Sequence, residues 1–260
     1  MNAPRYFDRP DGRRIAYHRI EADGEGARWP GVVFLGGLAS DMTGTKATFL
    51  EAWARERGRA FLRFDYTGHG RSSGRFAEGC VGDWTRDAEE ALQALTDGPQ
   101  VLVGSSMGGW VMLLLARRRP ERIAGLVGVA AAPDFTEDSM WRWMDESQRA
   151  TLRREGRVLM PNDYSDEPYV ISRRLIEDGR ERLVLRSPLP LPTPVRLLHG
   201  TADRDVPPEV GLRLLERADG PDIRLTLVKD ADHRFSGPRE LALIAAAVED
   251  VSGSSAAPSA

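Results

Sequence analysis

Lysine is almost missing from this chain: Lys46 and Lys229 are the only two among 36 basic residues. Basic residues do not outnumber the 39 acidic ones, and a net charge of −3 with pI near 5.9 offers no general attraction to nucleic acid or anionic lipid. Cysteine stops at Cys80, which excludes an intrachain disulfide and gives no sign of an oxidising compartment. Long apolar runs are missing too. The longest, Val101 to Ala116, is split by Gly-Ser-Ser-Met-Gly-Gly, and none reaches the roughly 18 unbroken apolar residues of a membrane helix. The start, Met1-Asn-Ala-Pro-Arg-Tyr-Phe-Asp, has no apolar h-region and an early acid, so it reads as neither secretory signal nor transit peptide. A soluble, cytoplasmic protein is expected. No Cys/His cluster suggests zinc and no G-x-G-x-x-G opens a helix, so neither metal nor organic cofactor is expected.

What is present fits one large domain over 1–251. The length of 260 residues suffices for a single α/β core, and its 29% charged residues must sit on the surface or in a polar insertion. Tyr6-Phe7, a turn at Pro10-Asp11-Gly12 and the alternating run Arg13–Ile20 predict a β-hairpin. A short, continuously apolar run follows at Gly31–Leu35, and further short strand-like runs stand at Ala60–Phe64, Gln100–Gly104, Ile123–Val129, Val195–Leu198 and Ile223–Val228. They predict strands buried on both faces of a parallel sheet. Helical spacing lies between them at Lys46–Arg57, Asp83–Leu95, Met107–Arg118 and Glu209–Arg217, and after them at Arg239–Val251. Such alternation implies an α/β fold with helices on both faces. Residues 134–192 interrupt it with Trp141, Trp143, Tyr164, Tyr169 and dense Arg, Asp and Glu. This segment is expected to lie over one end of the sheet as a lid, with helices at Thr136–Glu146 and Pro168–Asp178. The small, polar residues 252–260 are expected to be a disordered tail.

Gly104-Ser105-Ser106-Met107-Gly108 matches G-x-S-x-G between a buried strand and an apolar helix. At such an elbow the nucleophile is held in a strained turn at a helix N-terminus, where developing negative charge is favoured. Ser106 is therefore the expected nucleophile, and Ser105 is expected to point away. The loop after strand Val195–Leu198 carries Asp203 and Asp205, and the loop after the last strand carries His233. Ser, Asp, His is the chain order of hydrolases with this elbow. Asp203, closer to the strand end, is favoured as the acid because its spacing after His199-Gly200 matches the α/β-hydrolase superfamily that these residues resemble. Asp205 stays open, as a solvated loop residue or as a helix cap, the latter weakened because Pro207 and Pro208 would then offer it no N–H. His18, His69 and His199 are read as structural. The amides of Met107 and Leu38, the latter in Leu35-Gly-Gly-Leu38, are expected to form an oxyanion hole, the alternative being a mere tight turn.

These pieces, with Phe64-Asp-Tyr-Thr-Gly-His-Gly-Arg-Ser72, resemble the α/β-hydrolase superfamily along essentially the whole chain. Three segments resemble its palmitoyl-protein thioesterase and acyl-glucuronide esterase branch. They are Gly44-Thr-Lys-Ala47, Gly104-Ser-Ser-Met-Gly-Gly-Trp110, and Tyr164-Ser-Asp-Glu-Pro-Tyr169 with Arg174-Leu-Ile-Glu-Asp-Gly179. The resemblance implies a serine hydrolase of esters or thioesters acting on a small-molecule or acylated substrate without a cofactor. That branch includes mitochondrial members, whereas no presequence is read here, so the substrate is not carried over. A small peptidase, a C–C bond hydrolase and a non-catalytic hydrolase-fold binding protein remain alternatives; Ser106 argues against dehalogenases and epoxide hydrolases, which use an Asp nucleophile. Trp141, Met144 and Tyr169 are expected to face the acyl group or to pack the lid, and Arg173 and Arg174 to meet a substrate carboxylate or to be solvated surface charge.

Overall fold

Two antiparallel strands, β1 (Arg5–Asp8) and β2 (Arg14–Ile20), turn through Pro10-Asp11-Gly12 as expected. Next come β3 (Gly31–Leu35), α1 (Thr45–Glu56), β4 (Phe61–Phe64), α2 (Val81–Leu95), β5 (Gln100–Ser105), α3 (Met107–Arg118) and β6 (Ile123–Val129). The inserted segment carries α4 (Glu146–Glu155), the antiparallel pair β7 (Arg157–Met160) and β8 (Tyr169–Ser172), α5 (Arg173–Arg180) and a two-residue β9 (Leu189–Pro190). β10 (Val195–Gly200), α6 (Pro208–Arg217), β11 (Ala218–Asp219, paired with β9), β12 (Ile223–Val228) and α7 (Pro238–Gly253) complete the chain. The computed structural model describes residues 3–161 and 168–253.

Eight strands form the main sheet in the order β1-β2-β4-β3-β5-β6-β10-β12, parallel from β4 onward. From β3 the chain adds β4 on one side and then β5 on the other. The strand order therefore reverses at β3 and β5, and their carboxyl ends diverge around a crevice where ligands bind in open α/β sheets. Alternation along each strand divides the core. Val33, Leu35 and Leu102 pack with α2 and α3; Val32, Phe34, Val101 and Val103 pack with α1 and α7.

Helix α3 is apolar all round, with Trp110, Val111, Met112 and Leu113 fully buried. Such a helix needs cover on both sides. The sheet supplies one and the inserted segment the other: Trp110 Nε1–H donates to Arg182 O at 3.2 Å, and its ring meets Phe135 edge-on at 5.5 Å. Cys80, just ahead of α2, is buried, and that burial pushes its thiol up to about 12.

Inside the segment the expected helices are only partly found. Thr136–Trp141 is a π-helical turn and helical backbone ends at Trp143, short of Glu146. A new helix, α4, starts because Asp145 and Gln148 form a capping box. The second expected helix loses its first turn: Tyr169–Ser172 pairs with β7, as aromatic and β-branched residues favour, and α5 begins only at the Ser172 cap. Tyr164, with most of its motif, lies outside the described residues. So does the tail beyond Gly253, but Ser252 and Gly253, expected in that tail, are helical. Ser252 is buried, and its Oγ accepts from Arg59 at 2.9 Å.

Asp134 fastens the two ends of the segment together. It is fully buried at φ 60°, and its carboxylate accepts the Val184 and Leu185 amides at 2.8 and 3.0 Å. Burial raises its carboxyl above the usual range against the pull of those amides and of Arg186. Asp134→Ala strands both amides and is expected to cost about 3 kcal/mol. Asp134→Asn, which keeps one acceptor and tolerates positive φ, is expected to cost less. Urea unfolding at unchanged m checks this; an unmoved midpoint in the Ala variant would mean that the segment is held by other contacts.

Candidate active site

The crevice between β3 and β5 receives three loops. At the end of β5 the chain turns into α3 through Ser106, whose backbone lies at φ 53°, ψ −119°. Ser106 N–H donates to Val129 O at 3.0 Å, and Ser106 O accepts the Gly109 and Ala132 amides at 2.9 and 3.0 Å. The neighbouring glycines are required by space. A Cβ on Gly108 would stand 2.0 Å from Leu35 O, and one on Gly104 would stand 2.5 Å from Gly108 O. Ser106 Oγ is thereby left at the start of α3, beside the Met107 amide.

His233, on the loop after β12, faces it. Ser106 Oγ–H donates to His233 Nε2 at 3.1 Å, and His233 Nδ1–H donates to Asp203 Oδ2 at 2.8 Å. Asp203 lies on the loop after β10, where its Oδ1 accepts the Asp205 and Val206 amides at 3.0 and 2.8 Å. Burial opposes its ionisation, but the nearby His199 ring, 3.4 Å away, and hydrogen bonds from His233 and the Val206 amide outweigh burial and hold the carboxyl well below the usual range. His199 Nε2 donates to Val206 O at 2.8 Å and so ties this loop down, the structural part expected of it. Asp205 is not the helix cap but a half-exposed loop residue. Pro207 occupies the cap position of α6, and Asp205 lines the cavity. Among the described residues, Asp203, Asp205 and His233 alone bring metal-ligand atoms together, within 4.8 Å. The Asp203 oxygens and His233 Nδ1 are already spent on one another and on backbone amides.

The loop after β3 crosses in front of Ser106: a Cβ on Gly37 would touch the Ser106 Cβ at 3.4 Å. Leu38 lines the cavity and Ala39 stands at φ 54°. His69 holds this loop. Its Nε2 accepts the Ala39 amide at 3.1 Å, which puts the ring proton on Nδ1, 3.3 Å from Thr67 O. Tyr66, Phe76 and Trp84 pack edge-on around the imidazole at 5.2–5.6 Å, and burial lowers its pKa to about 4. His18, on β2, lies outside the cavity. Nearby, Asp65 accepts the Met42 and Arg71 amides at 2.6 and 2.7 Å, joining the loop after β3 to the glycine-rich loop after β4.

These loops open into a cavity of about 620 Å³ whose apolar wall is Phe135, Met140, Trp143, Met160, Tyr169 and Ile171. Tyr169 lines it; Trp141 and Met144 do not, which leaves them the packing alternative. Met144 is buried in the core, and Trp141 lies under the guanidinium groups of Arg149, Arg153 and Arg180. Helical geometry explains the exchange. Ser139, Met140 and Trp143 share the face toward the cavity, and Glu137, Asp138 and Trp141 share another. Spacing within Thr136–Trp143 is the signal that would have found Met140 and Trp143. Arg173 pairs with Glu177 at 3.6 Å and Arg174 with Asp83 at 2.7 Å, and neither lines the cavity. Both are exposed, so of the two readings the surface-charge one describes them. Lys46 and Arg234 are the cationic residues that do line it.

Among the described residues no helix is long and apolar enough to cross a membrane. The chain is similar to the mitochondrial palmitoyl-protein thioesterase ABHD10 of Rattus norvegicus, with 36% identity over 95% of this chain and 81% of that one. The solved structure of mouse alpha/beta hydrolase domain-containing protein 10 superposes with TM-score 0.86 at 34% identity, covering 96% of this chain and 98% of that one. A crystal structure from Agrobacterium vitis S4 gives TM-score 0.91 at 36% identity over the same shares. The alpha/beta hydrolase family model matches residues 32–246, and with these relatives it establishes that the chain belongs to the alpha/beta hydrolase family.

Proposed function

We propose that this chain hydrolyses esters or thioesters of an apolar acyl group through an acyl-enzyme on Ser106. One observation carries the reading: the unbroken line Ser106 Oγ, His233 Nε2, His233 Nδ1, Asp203 Oδ2, with steps of 3.1 and 2.8 Å. In this mechanism His233 takes the Ser106 proton as Oγ attacks the acyl carbonyl. Asp203 fixes the imidazole tautomer and stabilises the imidazolium, and His233 then returns the proton to the leaving oxygen or sulfur. Water activated by the same imidazole releases the acid. The Met107 and Leu38 amides hold the oxyanion. Segment 134–192 acts as a lid whose apolar wall covers the acyl chain, in keeping with the name palmitoyl-protein thioesterase borne by the rat relative.

Ser106→Ala is expected to lower kcat by on the order of 10⁶ and Ser105→Ala to keep most activity. Mass spectrometry after fluorophosphonate treatment should find the adduct on Ser106. Asp203→Asn should lose on the order of 10⁴ in kcat, and Asp205→Asn less than about tenfold. An adduct on Ser105, or the reverse order of the two asparagine variants, overturns the assignment.

His69 bears on the same step through Ala39. His69→Leu should lower kcat by on the order of 10²-fold with KM little changed, because a loop displaced by about 1 Å spoils the oxyanion geometry. His69→Gln, with a non-titrating acceptor, should recover part of it. Stability carries a second signature. Between the ordinary imidazole value of 6.5 and the folded value of about 4, the unfolded chain binds more protons than the folded one. Stability contributed by neutral His69 is therefore lost as pH falls through that window. The melting temperature of the parent should drop more steeply toward pH 4 than that of His69→Gln; parallel curves would remove His69 from this role.

A further inference from the structure

The three aromatic walls of the His69 imidazole do not belong to the same part of the fold. Tyr66 and Trp84 are buried in the core, where Trp84 Nε1–H is fixed on Thr67 O at 3.1 Å. Phe76, the third, is half-buried on the 3-10 turn Phe76–Glu78. Its ring meets the imidazole edge-on at 5.3 Å and lies nearly parallel to Trp84 at 6.0 Å.

The inserted segment holds the outer side of that turn. Tyr169 of β8 packs its ring on Phe76 at 6.3 Å, and Arg174 of α5 donates to Glu78 O. The inner side is in register with His69, because a Cβ on Gly68 would stand 2.7 Å from Phe76 N. Among the described residues, Phe76 is the one side chain whose ring packs on both Tyr169 and His69. Two walls of the imidazole are thus set by the core and one by segment 134–192.

Tyr169 lines the cavity and Phe76 does not. An acyl chain therefore touches Tyr169 and reaches Phe76 only through it. Behind Phe76 stands His69, and on His69 Nε2 hangs the Ala39 amide at 3.1 Å, next to Leu38. Close-packed rings transmit a displacement because they leave no slack between them. A chain long enough to fill the wall presses Tyr169 onto Phe76 and Phe76 onto the imidazole; a short chain does not. Binding energy from a remote part of the substrate is then used to position the reacting centre, which raises kcat instead of only lowering KM.

We propose that Phe76 is a positioning residue through which the acyl chain seats the oxyanion loop, so that chain length is read in kcat by the route Tyr169, Phe76, His69, Ala39. This rests on the hydrolase reading of Ser106 and adds a means of acyl selection at the same site.

The test follows kcat and KM separately for the parent, Phe76→Leu and Phe76→Tyr on esters of one phenol, with straight acyl chains from acetyl to dodecanoyl. In the parent, kcat should rise about tenfold or more along the series. Phe76→Leu should bring that kcat ratio to within about twofold of one, while KM still falls with chain length because the apolar wall is intact. Phe76→Tyr, which keeps the ring, should keep most of the ratio. If Phe76 only filled space, Phe76→Leu would slow every ester by a common factor and the ratio would stand, which overturns the proposal. A parent that reads chain length in KM alone overturns it as well. Adding Phe76→Leu to His69→Leu should cost the dodecanoyl ester no further kcat, since the route is already cut; a full second loss would mean that Phe76 acts elsewhere. Melting temperatures show that each variant is folded. Should Phe76→Leu fail to fold, Tyr169→Leu cuts the route from the other end, and a kcat ratio that stands there overturns the proposal. A parent that cleaves none of the esters refutes the hydrolase reading itself, an outcome distinct from cleavage with an unchanged ratio.

Discussion

Ser106 occupies a backbone conformation that side chains rarely adopt, at a cost of on the order of 1–3 kcal/mol. Three main-chain hydrogen bonds hold it, to Val129, Gly109 and Ala132, and two of those partners belong to β6 and its exit. The elbow is thus braced by the neighbouring strand as well as by its own helix. The close approach of Gly108 to the Leu35 and Gly36 carbonyls locks β3 onto the same point. Straining one residue requires that β3, β5, β6 and α3 all be in register. The continuous apolar character of these elements and the burial of α3 on every side provide the packing that offsets the strain.

From that point the site assembles by topology. The strand order reverses at β3 and β5, so the loop after β3 and the elbow open into one crevice. Strands β10 and β12, added farther along the same edge, bring Asp203 and His233 to the same end of the sheet. Main-chain groups do much of the fixing. Asp203, Asp65 and Asp134 each accept two backbone amides, so three buried carboxylates position three loops. His69 does the same for the Ala39 amide as a neutral acceptor.

How much of this could be read from residues alone depended on whether local pattern or distant contact decides the outcome. The elbow was legible because its glycines, serine and flanking apolar runs are contiguous, and the strands and helices of the sheet followed from unmixed periodicities. Asp203 could be preferred to Asp205 because its distance from His199-Gly200 matches the superfamily that the chain resembles, and Pro207, not Asp205, holds the cap position of α6. In the inserted segment charge is so dense that periodicity blurs. There Trp141, read as facing the acyl group or packing the lid, lies beneath three arginines, while Trp143, two residues on, lines the cavity. The Asp145–Gln148 capping box was present in the sequence and could have announced α4. Lys46 could not be placed in advance, since its partner Arg234 lies 188 residues away.

Cys80 has a practical bearing on how such chemistry can be watched. Burial pushes its thiol up to about 12, so the thiolate is scarce at pH 7 while the chain is folded, and the sulfur is buried. Thiol-trapping dyes therefore meet almost no signal from the protein, and any thiol they capture in a thioester digest comes from the substrate. Oxidants that reach low-pKa surface cysteines find no such target on this chain, whose single thiol is buried.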